Sequence, residues 1–152
     1  MPAHIGNPAP DFTLRDPQKI DFSLADLRGR KSLIVFIPFP FTGGCQTEMC
    51  AIRDHMSSLQ QLDANVIAIT CDTVHANRAW SEQQGFGFPV LSDFWPHGAT
   101  CRNYGCFNED TGSANRVTYV LDADGVVREI IATDSLGTLR EFDAYLEALE
   151  KI

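Results

Sequence analysis

No stretch of the chain approaches the roughly 18 consecutive apolar residues that a membrane-crossing helix needs, and no Pro-, Gly- or Ser-rich tract separates one part from another. The first absence excludes a helical span. The second leaves no linker at which to divide the 152 residues, so a single domain covering 1–152 is expected, large enough for a full core. Internal repeats and low-complexity tracts are also missing. Basic residues are scarce: 12 Lys and Arg against 20 Asp and Glu give a net charge of −8. That balance excludes nucleic acid and anionic membrane surfaces as partners, because both demand clustered cations. The opening Met-Pro-Ala-His-Ile-Gly lacks the basic segment and apolar core of an export leader, which predicts a cytoplasmic protein. His4, His55, His75 and His97 lack metal-ligand spacing and read as surface or packing residues.

What the chain does have is five cysteines, at 45, 50, 71, 101 and 106. An odd set without an export leader argues against a structural disulfide framework and for redox chemistry or metal binding. The most informative stretch contains the first two. Leu33-Ile-Val-Phe-Ile37 is a β-branched apolar run suited to a strand buried on both faces. It breaks at Pro38, Pro40, Thr42, Gly43 and Gly44. From Cys45 onward Met49, Ile52, Met56 and Leu59 recur at helical steps, which predicts a helix over about 45–62. Cys45 therefore opens a helix, where unpaired N–H groups and the peptide dipoles stabilise an anion. Cysteines in such settings are nucleophiles. Thr42 is placed to turn its hydroxyl toward the sulfur, and Pro38 to shield it. The plain alternative is that Cys45 is a small buried hydrophobe.

The rest reads in order as follows. Residues 11–14 and 21–24 flank a turn at Asp16-Pro17 and predict a hairpin, and Ser23 caps a helical turn through Leu27. Asn65–Thr70 is a second apolar strand, so strand, helix and strand form a parallel crossover. A helix follows from Thr73 or Asn77 to Gln84, ended by Gly85. Phe88–Ser92 is a strand that Pro89 places early or at an edge. Ala99–Tyr104 is a short helix. Val117–Leu121 and Val126–Ile131 form a hairpin around Asp122-Ala-Asp-Gly125. The close is a helix from about Gly137 to Glu150 carrying Leu139, Phe142, Leu146 and Leu149 on one face. The order predicts an α/β fold of the thioredoxin-like type, a mixed central sheet flanked by helices with an N-terminal hairpin extension.

Pro38-Phe-Pro-Phe-Thr42-Gly-Gly-Cys45 resembles the peroxiredoxin active-site motif Pro-x-x-x-Thr-x-x-Cys, and Asn7-Pro-Ala-Pro-Asp-Phe12 resembles that family's opening. Leu91–Ala99, Tyr104–Glu109 and Ala114–Arg116 resemble the alkyl hydroperoxide reductase E type, so the likeness covers essentially the full chain. It implies thiol-dependent reduction of hydrogen peroxide, organic hydroperoxides or peroxynitrite without a cofactor. Cys45 would become a sulfenic acid. Pro38, Thr42 and Arg116 would complete the site, the donors holding the peroxide oxygens as charge moves onto the departing one.

The spacing Cys45-x-x-x-x-Cys50 resembles instead the peroxiredoxin Q, or bacterioferritin comigratory protein, type, whose second cysteine resolves the sulfenic acid. On one ideal helix those Cα atoms lie roughly 8.7 Å apart, beyond the roughly 7 Å limit of a disulfide. A Cys45–Cys50 bond therefore requires the first helical turn to unwind. The resemblance implies a homodimer, with thioredoxin as reductant if Cys50 resolves Cys45 and a small thiol or mycoredoxin/glutaredoxin-like protein if it does not. Cys71 reads as core filler, and Cys101 or Cys106 as alternative resolving thiols. Glu48, one turn beyond Cys45, orients an arginine or favours the positive helix end. Phe39, Phe41, Phe94 and Trp95 line an apolar mouth, form a dimer contact or fill the core.

Two readings of other kinds remain. The identical gaps Cys45/Cys50 and Cys101/Cys106 suit a zinc-binding module, though zinc pairs usually sit in tight knuckles. A thioredoxin-type disulfide reductase needs Cys-x-x-Cys, and here the second cysteine falls two residues too late.

Overall fold

Alternation along the central apolar run decides how the molecule is layered. The computed structural model describes residues 2–152. In it the run forms part of a strand, Lys31–Phe36, whose residues from Ser32 onward are buried, as is Ile37 after it. Leu33, Val35 and Ile37 enter one apolar core, and Ile34 and Phe36 enter another on the opposite face. Successive strand side chains point to opposite faces, so a continuous apolar run demands cover on both.

In chain order the elements are β1 (Thr13–Arg15), β2 (Asp21–Ser23), a single 3-10 turn (Leu24–Leu27), β3 (Lys31–Phe36), α1 (Gly43–Asp54) and α2 (Met56–Gln61). There follow β4 (Ala64–Thr70), α3 (Val74–Gln84), β5 (Val90–Ser92), α4 (Ala99–Tyr104), β6 (Phe107–Asn108), β7 (Ser113–Ala114), β8 (Val117–Leu121), β9 (Val127–Ala132) and α5 (Phe142–Glu150). Seven strands form one mixed sheet in the order β2-β1-β5-β4-β3-β8-β9. β3 runs parallel to β4, and β4 to β5, while β8 returns antiparallel beside β3 with Ile34 opposite Tyr119. β6 and β7 pair separately. The core on one face takes Cys45, Met49 and Ile52 from α1, Trp80 from α3, and Tyr145, Ala148 and Leu149 from α5. The other takes Cys101 and Tyr104 from α4, with Cys71 and Cys106. This is the mixed sheet covered by helices that the sequence predicts.

Local signals place most boundaries. Thr73 Oγ1 accepts from Ala76 N at 3.2 Å at the start of α3, and Gly85 ends it in the left-handed conformation. Asp26 accepts from Ser23 N at 2.8 Å across the 3-10 turn. Pro89 precedes β5, and its carbonyl accepts from Ala68 N at 2.9 Å.

Several boundaries differ from expectation, and those of two helices and one strand have a physical reason. The helix predicted over 45–62 begins at Gly43 and breaks at His55, whose φ of −117° and ψ of 21° leave the helical region. The His55 ring lies 2.8 Å from the Ala51 carbonyl through Nδ1 and packs, tilted, against Phe142. The strand predicted from Phe88 begins at Val90, since Pro89 lacks the N–H that pairing would use. The closing helix begins at Phe142 rather than Gly137, because Arg140 donates its backbone N–H to Glu48 at 2.7 Å, across the core, instead of to its own helix.

Candidate active site

The strand-to-helix loop delivers Cys45 to the third residue of α1, behind Thr42 as N-cap and Gly43 and Gly44 as the first two helical residues. At that position its own N–H and those before it are among the donors a helix start leaves without internal acceptors. The side chain has no solvent-exposed surface. Pro38 is buried, and the next residue, Phe39, donates its N–H to Cys45 Sγ at 3.5 Å. The loop thus closes over the sulfur and offers it an amide.

Thr42 does otherwise than the sequence suggests. Its hydroxyl donates to the Phe39 carbonyl at 2.8 Å and not to the sulfur. The bond pins the same residue whose N–H faces Cys45. Thr42 is exposed, and its oxygen retains acceptor capacity toward solvent.

Arg116 comes from the other side of the sheet's central pair, at the foot of β8, and is 5% exposed. Its Nε donates to the Leu136 carbonyl at 2.6 Å and its Nη1 to Glu48 Oε1 at 2.6 Å. The remaining nitrogen, Nη2, points to the start of α1: a Cβ built on Gly44 would lie 2.8 Å from it and 2.9 Å from Leu139 Cδ2. Gly44 is therefore the space through which the guanidinium approaches the residue next to Cys45.

Glu48 explains how two arginines share this interior. Its Oε1 accepts from Arg116 Nη1 and from Arg140 Nη2 at 2.8 Å; its Oε2 accepts from Arg140 Nε at 2.9 Å and Arg140 N at 2.7 Å. Burial pushes the Glu48 carboxyl up, but the Arg140 hydrogen bonds and charge, with the Arg116 charge, outweigh it and hold the group below its usual value of 4.5. Arg140 feels the converse. Burial disfavours its charge, and the Glu48 carboxylate, through its hydrogen bonds and charge, restores it, leaving the guanidinium more firmly protonated than usual. Its Nη1 donates to Thr118 Oγ1 at 3.1 Å, which shares a 2.9 Å hydrogen bond with the Tyr145 hydroxyl.

Glu48 thus orients two arginines where the sequence suggests one. Arg140 carries no sequence signal: it stands in a stretch whose apolar spacing reads as helix. One carboxylate and two guanidinium groups leave one positive charge in excess beside a sulfur that can carry a negative one.

Cys50 lies on the same continuous helix as Cys45, half-buried, with Sγ 3.6 Å from Gln84 Oε1. Both cysteines are thiols. Cys101 and Cys106 sit in the core on the opposite face from Cys45, so neither reaches it without crossing the sheet. The same separation overturns the zinc set Cys45, Cys50, Cys101 and Cys106, whose sulfurs are divided between two sides of a seven-stranded sheet. Phe39, Phe41, Phe94 and Trp95 are exposed, which removes the core-filling reading. Among the described residues no helix is long and apolar enough to cross a membrane.

The chain is similar to known proteins. The AhpC/TSA family profile matches residues 5–130. Alkyl hydroperoxide reductase E of Mycobacterium tuberculosis is 46% identical over 126 residues, 82% of either chain. Rat peroxiredoxin-2 is 34% identical over 142 residues, covering 87% of this chain and 71% of its own. The crystal structure of Enterococcus faecalis AhpC superposes with a TM-score of 0.89 at 25% identity, over 98% of this chain and 92% of that one. The buried cysteine at a helix start, in a thioredoxin-like sheet with this sequence kinship, places the chain in the AhpC/TSA family: it is a peroxiredoxin, a thiol-dependent peroxidase.

Proposed function

We propose that the chain, acting as a single domain, reduces hydrogen peroxide and organic hydroperoxides, and peroxynitrite as a further substrate, through Cys45. The observation that carries this reading is the convergence of the Phe39 N–H on the sulfur and of Arg116 Nη2 on the helix start, with Glu48 holding the arginine. The Cys45 sulfur attacks the terminal peroxide oxygen, the O–O bond breaks, and the departing oxygen takes the electron pair and a proton. Negative charge moves from sulfur to oxygen. Donors fixed beforehand stabilise that shift without reorganising. Arg116 supplies a guanidinium N–H, the start of α1 supplies backbone N–H groups, Thr42 supplies its hydroxyl once released from Phe39, and Pro38 keeps water from the sulfur.

The Cys45 sulfenic acid is then resolved by Cys50 after the first turn of α1 unwinds, and thioredoxin reduces the resulting bond. The intact helix and the Cys50–Gln84 contact favour one competing reading, in which a small thiol or a mycoredoxin/glutaredoxin-like protein reduces the sulfenic acid directly. The working form is a cytoplasmic homodimer. It needs no cofactor.

Trp80 makes the chemistry observable, since its Nε1 donates to Gln46 Oε1 at 3.3 Å, on the residue after Cys45. Stopped-flow fluorescence with hydrogen peroxide should show a second-order quench in wild type that Cys45→Ser abolishes. An unchanged rate in Cys45→Ser overturns the assignment. Disulfide mapping of peroxide-treated Cys50→Ser decides the second step: persistence of an intramolecular bond to Cys45 removes Cys50 from its role.

A further inference from the structure

The peroxidatic site leaves three cysteines unused, and two of them meet. Cys71, just beyond β4, and Cys101, in α4, are separated by 30 residues in sequence, yet their Sγ atoms lie 3.5 Å apart in the core away from Cys45. Asp93 joins them: one carboxylate oxygen and the two sulfurs lie within 4.8 Å of one another, and Asp93 is 2% exposed. The carboxylate is fixed by the N–H of Thr100 at 3.0 Å and of Cys101 at 2.8 Å, the start of α4. Closing a disulfide of about 2.05 Å asks each sulfur to move by roughly 0.7 Å.

The surroundings define how such a pair reacts. The Cys101 hydrogen bond and burial push the Cys71 thiol up, and the Cys106 hydrogen bond and burial push Cys101 up against the opposing hydrogen bond from Cys71, so neither is a ready nucleophile. Burial also raises Asp93, though its two backbone hydrogen bonds oppose this, making the carboxylate a better proton acceptor than an exposed one. Cys71 is the more accessible thiol, 5% exposed against 0% for Cys101. It stands two residues from Thr73, which with His75, Ser92 and Trp95 lines an open cleft of about 730 Å³.

We propose that Cys71 and Cys101 form a second redox couple, which hydroperoxide converts slowly to a buried disulfide with Asp93 as proton relay, independently of Cys45. Cys71 gives its proton to Asp93 and attacks the hydroperoxide; the O–O bond breaks, Asp93 returns the proton to the departing oxygen, alcohol or water leaves, and a sulfenic acid forms. Cys101 then gives its proton to the regenerated Asp93 carboxylate and displaces the sulfenic oxygen, which takes that proton and leaves as water. Two thiols lose two electrons, and one peroxide bond accepts them. The product ties α4 to the end of β4 and, being buried, resists attack by reducing thiols. It records peroxide exposure and does not turn over.

The test uses the full chain carrying Cys45→Ser and Cys50→Ser, so its outcome is separate from the peroxidatic assignment. After exposure to millimolar hydrogen peroxide over hours, alkylation and peptide mass mapping should show the Cys71 and Cys101 peptides joined with loss of two hydrogens. The melting midpoint should rise by roughly 10 °C, as a bond closing a loop of this length predicts. Asp93→Asn should slow bond formation several-fold and reach the same product. Either Cys71→Ser or Cys101→Ala should abolish the bond, and in a background retaining Cys45 should leave the fast fluorescence quench intact. Full alkylation of both thiols after unfolding, a Cys101–Cys106 bond in their place, or one equivalent of zinc held by the purified protein and blocking oxidation would overturn the proposal.

Discussion

Replacing Glu48 by Gln removes the anion that lets two buried arginines coexist. Glu48 is 6% exposed and accepts four hydrogen bonds, three from Arg140 and one from Arg116. Gln keeps the shape but presents an NH2 group to guanidinium donors, so one carboxyl oxygen's bonds become donor–donor contacts and two positive charges lose their partner. Breaking a buried pair from one side costs roughly 3–5 kcal/mol. At roughly 2–4 °C per kcal/mol for a chain of this size, the melting midpoint should fall by about 6–20 °C. The rate with hydrogen peroxide should fall about 10²-fold, since a displacement of about 1 Å in a positioning group costs that much. Glu82→Gln is the internal control: its pair with Arg78 is 3.0 Å long but both side chains are more than half exposed, so under about 1 kcal/mol is expected. Calorimetry and stopped-flow fluorescence on the three proteins decide the matter. Glu48→Gln matching the control in both midpoint and rate would refute the view that this carboxylate organises the site.

The depressed Glu48 carboxyl gives stability that is complete above about pH 4.5, its usual value, and lost as pH falls through the lower folded-state value. The gap in urea midpoint between wild type and Glu48→Gln should therefore close on acidification, and a gap constant to well below that pH contradicts the linkage. Gly44→Ala places a methyl 2.8 Å from Arg116 Nη2 and 2.9 Å from Leu139 Cδ2, so both side chains must give way and the peroxide rate should drop roughly 10²-fold. Equal rates would mean that Arg116 does not act through this gap. Gly98→Ala is the opposite case: φ is +69° and the new methyl falls on the Phe107 ring, so chemical denaturation should report a loss of roughly 2–5 kcal/mol with Cys45 reactivity unchanged in the folded fraction.

The parts of the fold legible in the sequence are those fixed by local chemistry. Leu33–Ile37 can only be a doubly covered strand, Thr73 and Gly85 bracket α3, and the turn at 122–125 sets the β8–β9 hairpin. What escaped depends on contacts between distant residues. Nothing near Arg140 reveals that its backbone and side chain both serve a carboxylate 92 positions earlier, so its segment reads as helix. The partner of the Thr42 hydroxyl depends on a loop conformation that spacing does not encode. Cys71, read as core filler, and Cys101, read as an alternative resolving thiol, carry no sign of each other until the fold brings them within 3.5 Å. The motif at 38–45 points to Pro38, Thr42 and Cys45, yet gives no hint of the second arginine that balances the charge.

Glu48 also determines how far α1 can open. Peroxide must first reach a sulfur with no exposed surface, and the cover is a loop held by the Thr42–Phe39 bond and one N–H···S contact. Phe41 within it has a φ of +65°, a conformation costing a non-glycine residue about 1–2 kcal/mol, so displacing the loop relieves strain as it breaks weak contacts. A bond between Cys45 and Cys50 asks for more, because the helix joining them must change shape, and Glu48 lies between them. Unwinding through Glu48 would strip both arginines of their partner, at the cost estimated above. Unwinding only ahead of it leaves the network whole: the three residues from Cys45 to Glu48 span up to about 10 Å when extended, enough to carry Cys45 back to Cys50. The ion cluster thus divides α1 into a glycine-led turn free of it and a body that it holds, so that under the proposed resolution by Cys50 a Cys45–Cys50 closure would be a separate and more costly opening than peroxide entry.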